Sequence, residues 1–270
     1  MMEYDSNKKQ PPFLEELVQL FHYHELIFLI TGNILKNRYK RSVLGILWML
    51  LNPLLQTIVL AIAFGAMFKS SLSNYPVYLL SGLITWSFIT QTTQYSMGAM
   101  AYGGGLLKKI YIPRATYIVA VVGNGFVNFL ISIFSMIIVV LFLGHPIESS
   151  WFFLPFSIMI ITIFSLGFAL LLSTASVFFA DSIDIYQVLI QALFFLTPII
   201  YPASTLPPDW SGLMAWNPFY YLIEIFRIPV YENTLPDNDL ILISSLLAIS
   251  TLLIGWLVFT SKADQLAYRL

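Results

Sequence analysis

The chain alternates between long stretches without charged side chains and short segments where charge is concentrated. Uncharged runs extend from Ser42 to Phe68, Ser70 to Leu107, Ala115 to Ile147, Ser149 to Ala180, Ile185 to Pro208 and Leu240 to Thr260. Crossing the roughly 30 Å of bilayer hydrocarbon takes about 20 mostly apolar helical residues. The runs therefore predict an all-α polytopic membrane protein with six transmembrane helices, at about 43–68, 75–95, 119–143, 153–174, 185–201 and 240–260.

The breaks in the pattern carry as much information as the runs. The first run holds a polar, helix-disturbing cluster at Asn52, Pro53 and Gln56, with the two amides four apart on one helical face. They either line a pore or bind a neighbouring helix through hydrogen bonds. In the second run, MGAMAYGGG after Tyr95 is rich in glycine, which predicts that the membrane helix stops there. The fifth contains Pro198, Pro202, Pro207 and Pro208, so its helix should end near Pro198 to Tyr201. Trp210, Trp216, Phe219, Tyr220, Tyr221, Phe226 and Tyr231 follow closely, and such aromatics suit short re-entrant or surface helices over about 203–232 at a membrane interface.

Ahead of the first span, residues 13–35 place Phe13, Leu17, Leu20, Phe21 and Phe28 at helical spacing, with Glu15, Glu16 and Glu25 off the stripe. This predicts an N-terminal amphipathic helix. It lies along the membrane surface or packs against the protein's own membrane domain. The organisation is then an N-terminal cytoplasmic and interfacial segment over 1–41, a membrane domain over 42–261 and a short tail over 262–270. The polar opening MMEYDSNKKQ gives no cleavable signal sequence, so the spans themselves direct insertion.

Composition agrees with this layout. Of 270 residues, 58% are hydrophobic and 10% charged, with a mean hydropathy of +0.80; soluble domains carry about 25% charged residues. The 13 lysines and arginines sort by side. With six spans and both termini in the cytoplasm, only Lys69 and Arg227 fall outside, as the positive-inside rule requires. A formal net charge of -1 excludes general polyanion binding, so no nucleic-acid partner is expected. The absence of cysteine excludes disulfides, thiol nucleophiles and cysteine metal sites.

No catalytic constellation stands out. His22 and His24 are two apart, unlike zinc-binding histidines four apart on a helix. Asp181 and Asp184 fall at a predicted cytoplasmic turn, where capping and solvation account for them. Glu224 and Arg227 are three apart and can pair with each other or meet substrate at the outer mouth. Gly103, Gly104 and Gly105 lack the spacing and the lysine of a phosphate loop. Any ATP hydrolysis must therefore belong to another polypeptide.

Several segments together resemble the membrane subunit of polysaccharide-exporting ATP-binding cassette transporters of the ABC-2 type, the permeases of O-antigen, capsule and teichoic-acid export. They are RYKRSVLGILWMLLNPLLQ from Arg38 to Gln56, KKIYIPR from Lys108 to Arg114, SVFFADSIDIYQVLIQALFFLTPIIYP from Ser176 to Pro202, and Asn217-Pro218. The resemblance implies a homodimer joined to two copies of an ATPase subunit that binds ATP and Mg, with no cofactor in this chain. It implies ATPase contacts through the surface helix and a coupling helix near Gly98 to Arg114, with Lys108, Lys109 and Arg114 as coupling residues. It also implies a channel lined by Trp48, Asn52, Gln56, Tyr186, Gln187 and Gln191, with Tyr201, Trp210 and Trp216 at its mouth. Where the family commonly has FFRD, this chain has Phe178, Phe179, Ala180 and Asp181, so an inner-side arginine is missing.

The expected activity is transport of lipid-linked polysaccharide, O-antigen first, across a bacterial inner membrane in contact with membrane lipid. Teichoic-acid or capsular polysaccharide export is the alternative. A drug or lipid exporter fits KKIYIPR and FFLTPIIYP less well, and a membrane transferase would need converging acidic or histidine side chains.

Overall fold

The computed structural model describes residues 12–40, 42–68, 72, 74–102, 114–205, 211–262 and 265. Ten α-helices form among them: α1 Pro12–His22, α2 His24–Tyr39, α3 Leu47–Phe68, α4 Tyr75–Tyr102, α5 Arg114–Phe142, α6 Leu154–Phe178, α7 Ser182–Leu196, α8 Ser211–Ala215, α9 Pro218–Arg227 and α10 Asn238–Ser261. No strand occurs among the described residues. Four helical segments are long and apolar enough to cross a bilayer: α3, α5, α6 with its 3-10 lead from Ser149, and α10.

α4, the helix at the predicted second span, is the centre of the bundle and is longer than its glycines predict. α4 continues through Gly98 to Tyr102 because Met97 and Met100 are fully buried against neighbouring helices, and packing outweighs the weak helix propensity of one glycine. α5, α6, α3, α9 and α7 surround it. Its many hydroxyls would be costly in this apolar setting if unpaired. They fold back onto their own helix, with Thr85 donating to the Ser81 carbonyl (3.1 Å), Thr90 to Trp86 (2.8 Å), Thr93 to Ile89 (2.8 Å) and Ser96 to Thr92 (2.9 Å). The polar helix is thus shielded by apolar ones. Leu242, Leu246, Ile249, Leu253 and Leu257 of α10 point outward at helical spacing, as a lipid-facing stripe does.

Close approach of α6 and α10 depends on paired glycines. A Cβ added at Gly255 would run into the Gly167 carbonyl, and one at Gly167 into the backbone of Leu252. This is the small-residue contact by which membrane helices pack without a hydrophobic driving force between them.

The N-terminal segment is two helices, with a break at Tyr23 (φ -97°, ψ 22°). Both helices contact the protein's own bundle. The Thr31 hydroxyl of α2 donates to the Ala120 carbonyl of α5 (3.1 Å), and the Trp256 indole of α10 donates to the Phe13 carbonyl of α1 (3.3 Å). The proposed apolar stripe is split: Phe13, Phe21 and Phe28 are exposed while Leu17 and Leu20 are half-buried. At the start of α7, Asp181 is the N-cap residue, yet its side chain makes no capping bond. Capping therefore does not explain it; Asp181 and Asp184 are simply exposed.

The helix at the predicted fifth span ends earlier than expected. α7 stops at Leu196 because Pro198 disfavours helical geometry at the preceding residue, and Thr197 is extended (φ -93°, ψ 135°). The carbonyls freed beyond it are met by other elements. Tyr75 donates to Ile200 (2.8 Å), Tyr78 lies 2.9 Å from the Tyr201 carbonyl and 3.2 Å from that of Pro198, and Arg227 Nη1 donates to the Pro198 carbonyl (2.8 Å). Arg227 is 1% exposed. It pairs with Glu224 at 2.6 Å and stacks over the Tyr78 ring at 4.0 Å. Gly82 leaves room for this guanidinium, since a Cβ there would collide with Nη2.

Short helical elements complete this knot. Asn217 caps α9, accepting from the Phe219 N–H (3.0 Å) and donating to Thr197 Oγ1 (2.9 Å). Pro218 sits in its first turn. Ser157 donates to the Ile225 carbonyl (2.7 Å) and Ser150 to that of Pro229 (2.9 Å). The Glu232 carboxyl, at the end of the π-turn Ile228–Glu232, is held above the usual carboxylate range by burial, with Glu224 adding to the effect.

Three stability changes follow from these contacts. Gly255→Ala should lower the thermal midpoint in detergent by the equivalent of about 1–3 kcal/mol, the usual cost of overpacking; an unchanged midpoint would remove the close contact. Arg227→Met leaves the half-buried Glu224 carboxylate without its partner and the Pro198 carbonyl without its arginine donor and should cost about 3–5 kcal/mol, seen as loss of folded protein in a size-exclusion and melting assay. Because the folded Glu232 binds its proton more tightly, its favourable contribution is present at acid pH and is lost as pH rises through the raised value. Glu232→Gln should therefore raise the midpoint at pH about 8 and leave it unchanged at pH about 4, a comparison that equal shifts at both pH values would defeat.

Candidate functional site

Glutamine is the side chain that recurs where α3, α4 and α7 leave space between them. Gln56 of α3, Gln91 and Gln94 of α4, and Gln187 and Gln191 of α7 line one groove of about 780 Å³. All five are exposed. Helical spacing puts each pair on one face: 91 and 94 are three apart, 187 and 191 four apart. Trp86 and Phe194, with ring centroids 5.7 Å apart, form aromatic walls in the same groove.

The tilt of α7 against α4 is pinned by Tyr186. This residue is 6% exposed, and its hydroxyl donates to the Thr90 carbonyl (3.0 Å). One polar bond per buried hydroxyl satisfies it and fixes the helix register. With Tyr186 turned inward, Gln187 and Gln191 are left on the open side.

The sequence-derived channel residues therefore converge, though on two neighbouring surfaces. Gln56, Tyr186, Gln187 and Gln191 line the groove. Trp48 and Asn52, together with Gln56, line a second cleft of about 300 Å³ behind the first half of α3. Ser87 and Gln91 line both, so the two surfaces meet along one face of α4. The Tyr201 hydroxyl donates to the Phe195 carbonyl (2.7 Å), closing the end of α7. Trp216 is 87% exposed. Trp210, Lys108 and Lys109 lie outside the described residues. Arg114 is the first residue of α5, half-buried. Most of the coupling segment, 103–113, also lies outside them, while 98–102 belong to α4.

Of the two roles open to Glu224 and Arg227, pairing is the one the structure has. Gln91 and Gln94 were not singled out from sequence. The signal is present in the spacing: Ser87, Thr90, Gln91 and Gln94 fall at i, i+3, i+4 and i+7, on one face of the helix.

Chemically, the groove offers amide donors, amide acceptors and ring faces. No ionisable side chain other than the inward-turned Tyr186 lines it. Such a surface exchanges hydrogen bonds with neutral polar groups and stacks against apolar ring faces. Among the described residues, no group of three His, Cys, Asp or Glu side chains could hold a metal ion.

Comparison with known proteins places this architecture. The chain is 27% identical over 251 residues to the O-antigen export system permease protein RfbA of Myxococcus xanthus, covering 92% of this chain and 96% of that one. It is 28% identical over 251 residues to the RfbA protein of Klebsiella pneumoniae, covering 93% and 95%. The polysialic acid transport protein KpsM of Escherichia coli is 24% identical over 238 residues, covering 86% and 91%. The description of the ABC-2 type transporter family matches residues 25–231, from the start of α2 to the π-turn after α9, and the chain belongs to that family.

Proposed function

We propose that this chain is the permease subunit of an ATP-driven exporter that moves lipid-linked polysaccharide, O-antigen first, across the bacterial inner membrane. The observation that carries the reading is the uncharged groove of glutamines and aromatic rings on α3, α4 and α7. Sugar hydroxyls cannot enter hydrocarbon without losing their water partners. Side-chain amides replace those partners one for one, and ring faces accept the apolar side of each sugar. A groove without fixed charge lets successive units slide without a deep trap.

Membrane crossing is by six spans with both termini cytoplasmic. α4 serves as the second because apolar neighbours shield its hydroxyls, and α7 as the fifth, with 197–201 continuing it. α7 alone has 15 residues, short of the roughly 20 needed. The division into an N-terminal segment over 1–41, a membrane domain over 42–261 and a tail over 262–270 accompanies this topology. Two copies of the permease face each other across the groove and join two copies of an ATPase subunit that binds ATP and Mg. α1 and α2, packed on α5 and α10, carry motion from that subunit into the spans, with Lys108, Lys109 and Arg114 at its contact. Tyr201, Trp210 and Trp216 stand at the outer mouth. Alternating exposure of the groove then requires only that the polymer bind differently in two states, ATP hydrolysis setting their order.

Capsular polysaccharide is the second reading, supported by the similarity to KpsM over 86% of this chain. Teichoic acid is a third polymer of the same physical kind.

Replacing Gln187 and Gln191 together by leucine removes amides from an exposed helix face and leaves Tyr186 in place. Polymer at the cell surface should fall about tenfold, the equivalent of about 1.4 kcal/mol in the barrier to passage, at unchanged protein level in the membrane. Normal surface polymer in that variant would take α7 out of the path.

A further inference from the structure

The second cleft has a property the groove lacks. It lies between α3, α4 and α5, and Asn124 of α5 reaches it from a nearly closed position, 5% exposed. Asn124 Oδ1 accepts from Asn128 Nδ2 (3.2 Å), which sets the orientation of its amide. Asn124 Nδ2 is buried and has no hydrogen-bond partner among the described residues. An unpaired buried N–H is costly, and the cost disappears when something in the cleft accepts from it. Asn52, Ser87 and Gln91 line the same space, and Trp48 lines it at the basic-flanked end of α3.

We propose that this cleft is a subsite holding one neutral sugar ring of the polymer beside the first half of the first span; the proposal rests on the polysaccharide reading above. Its lining selects that chemistry. Among the described residues the one charged side chain there is Arg38, whose guanidinium sits 5.1 Å from the Tyr95 ring centroid at the cleft's edge. A phosphate would want several cations. An acyl chain would leave the amides unpaired. A pyranose supplies hydroxyl acceptors to Asn124 and donors to Asn52 and Gln91, and presents C–H groups to the Trp48 indole. A volume of about 300 Å³ suits one ring and not a long oligomer, being the lower limit of small-ligand pockets at roughly 300–1,000 Å³. Side-chain amides and a ring face impose little stereochemical choice, so an ordinary glucose oligomer is an adequate probe.

The chain has no cysteine, so Asn52→Cys places one thiol in the permease at the cleft. The transporter complex is reconstituted in lipid nanodiscs and treated with a small water-soluble thiol reagent, and modification at position 52 is followed by mass spectrometry. Maltotriose at about ten times a millimolar Kd should slow modification about tenfold. A Gln191→Cys reporter in the groove, tested alike, separates the two surfaces. Adding Asn124→Leu to Asn52→Cys should abolish protection; so should adding Trp48→Ala, which alters a half-exposed side chain and tests the site if the leucine variant does not fold. Equal rates with and without maltotriose would overturn the subsite. Protection by glycerol 3-phosphate in its place would assign the cleft to a phosphate-bearing headgroup and also overturn it. Polymer export by cells with and without the unsubstituted chain is scored in parallel. Export that does not depend on the chain overturns the polysaccharide reading, whereas dependent export without protection overturns the subsite alone.

Discussion

A helix broken by proline inside an apolar surrounding leaves carbonyl groups with no donor, and this protein answers that demand with one buried arginine and two tyrosines. Arg227 and Tyr78 meet at 3.0 Å, and together with Tyr75 they reach the carbonyls of Pro198, Ile200 and Tyr201. In lipid, backbone groups must be satisfied internally. The guanidinium does so from a position that Glu224 neutralises and Gly82 leaves vacant. A charge that would be expensive as an isolated group becomes a cross-brace between α9, α4 and the end of α7.

That brace determines the shape of the glutamine-lined groove. Because the end of α7 is tied down by Arg227 and its beginning is pinned by Tyr186 to Thr90, the helix has no freedom to roll. Gln187 and Gln191 stay outward, opposite Gln91 and Gln94. The groove is thus polar on its faces and held at both ends. The neighbouring cleft differs in being narrower and in holding an amide whose hydrogen-bond capacity is incomplete.

The bundle distributes polarity in a way suited to lipid. α4, the most polar of the long helices, is the most buried and hides its hydroxyls on its own backbone. α10 and α3, both apolar enough to cross a bilayer, are the most exposed of the four such helices among the described residues. Close packing between α6 and α10 rests on Gly167 and Gly255, because apolar side chains gain little by leaving lipid for each other.

Much of this was legible in the residues alone. Charge-free runs of sufficient length determined that the chain is helical and membrane-embedded, since lipid admits little else, and Pro198 and Asn217-Pro218 marked where helices end and begin. The spacing of Asn52 with Gln56 puts two amides on one helix face, while Gln187 and Gln191 are named only by the family resemblance. Tertiary structure alone decided which faces meet. It carried α4 past Gly98 because methionines on that face are buried, turned Tyr186 inward as a brace, split the amides between two cavities, and gave Glu224 and Arg227 a buried role in place of one at the mouth. Periodicity reports the face on which a side chain sits; whether that face meets lipid, a neighbouring helix or an open path depends on contacts between residues far apart in the chain.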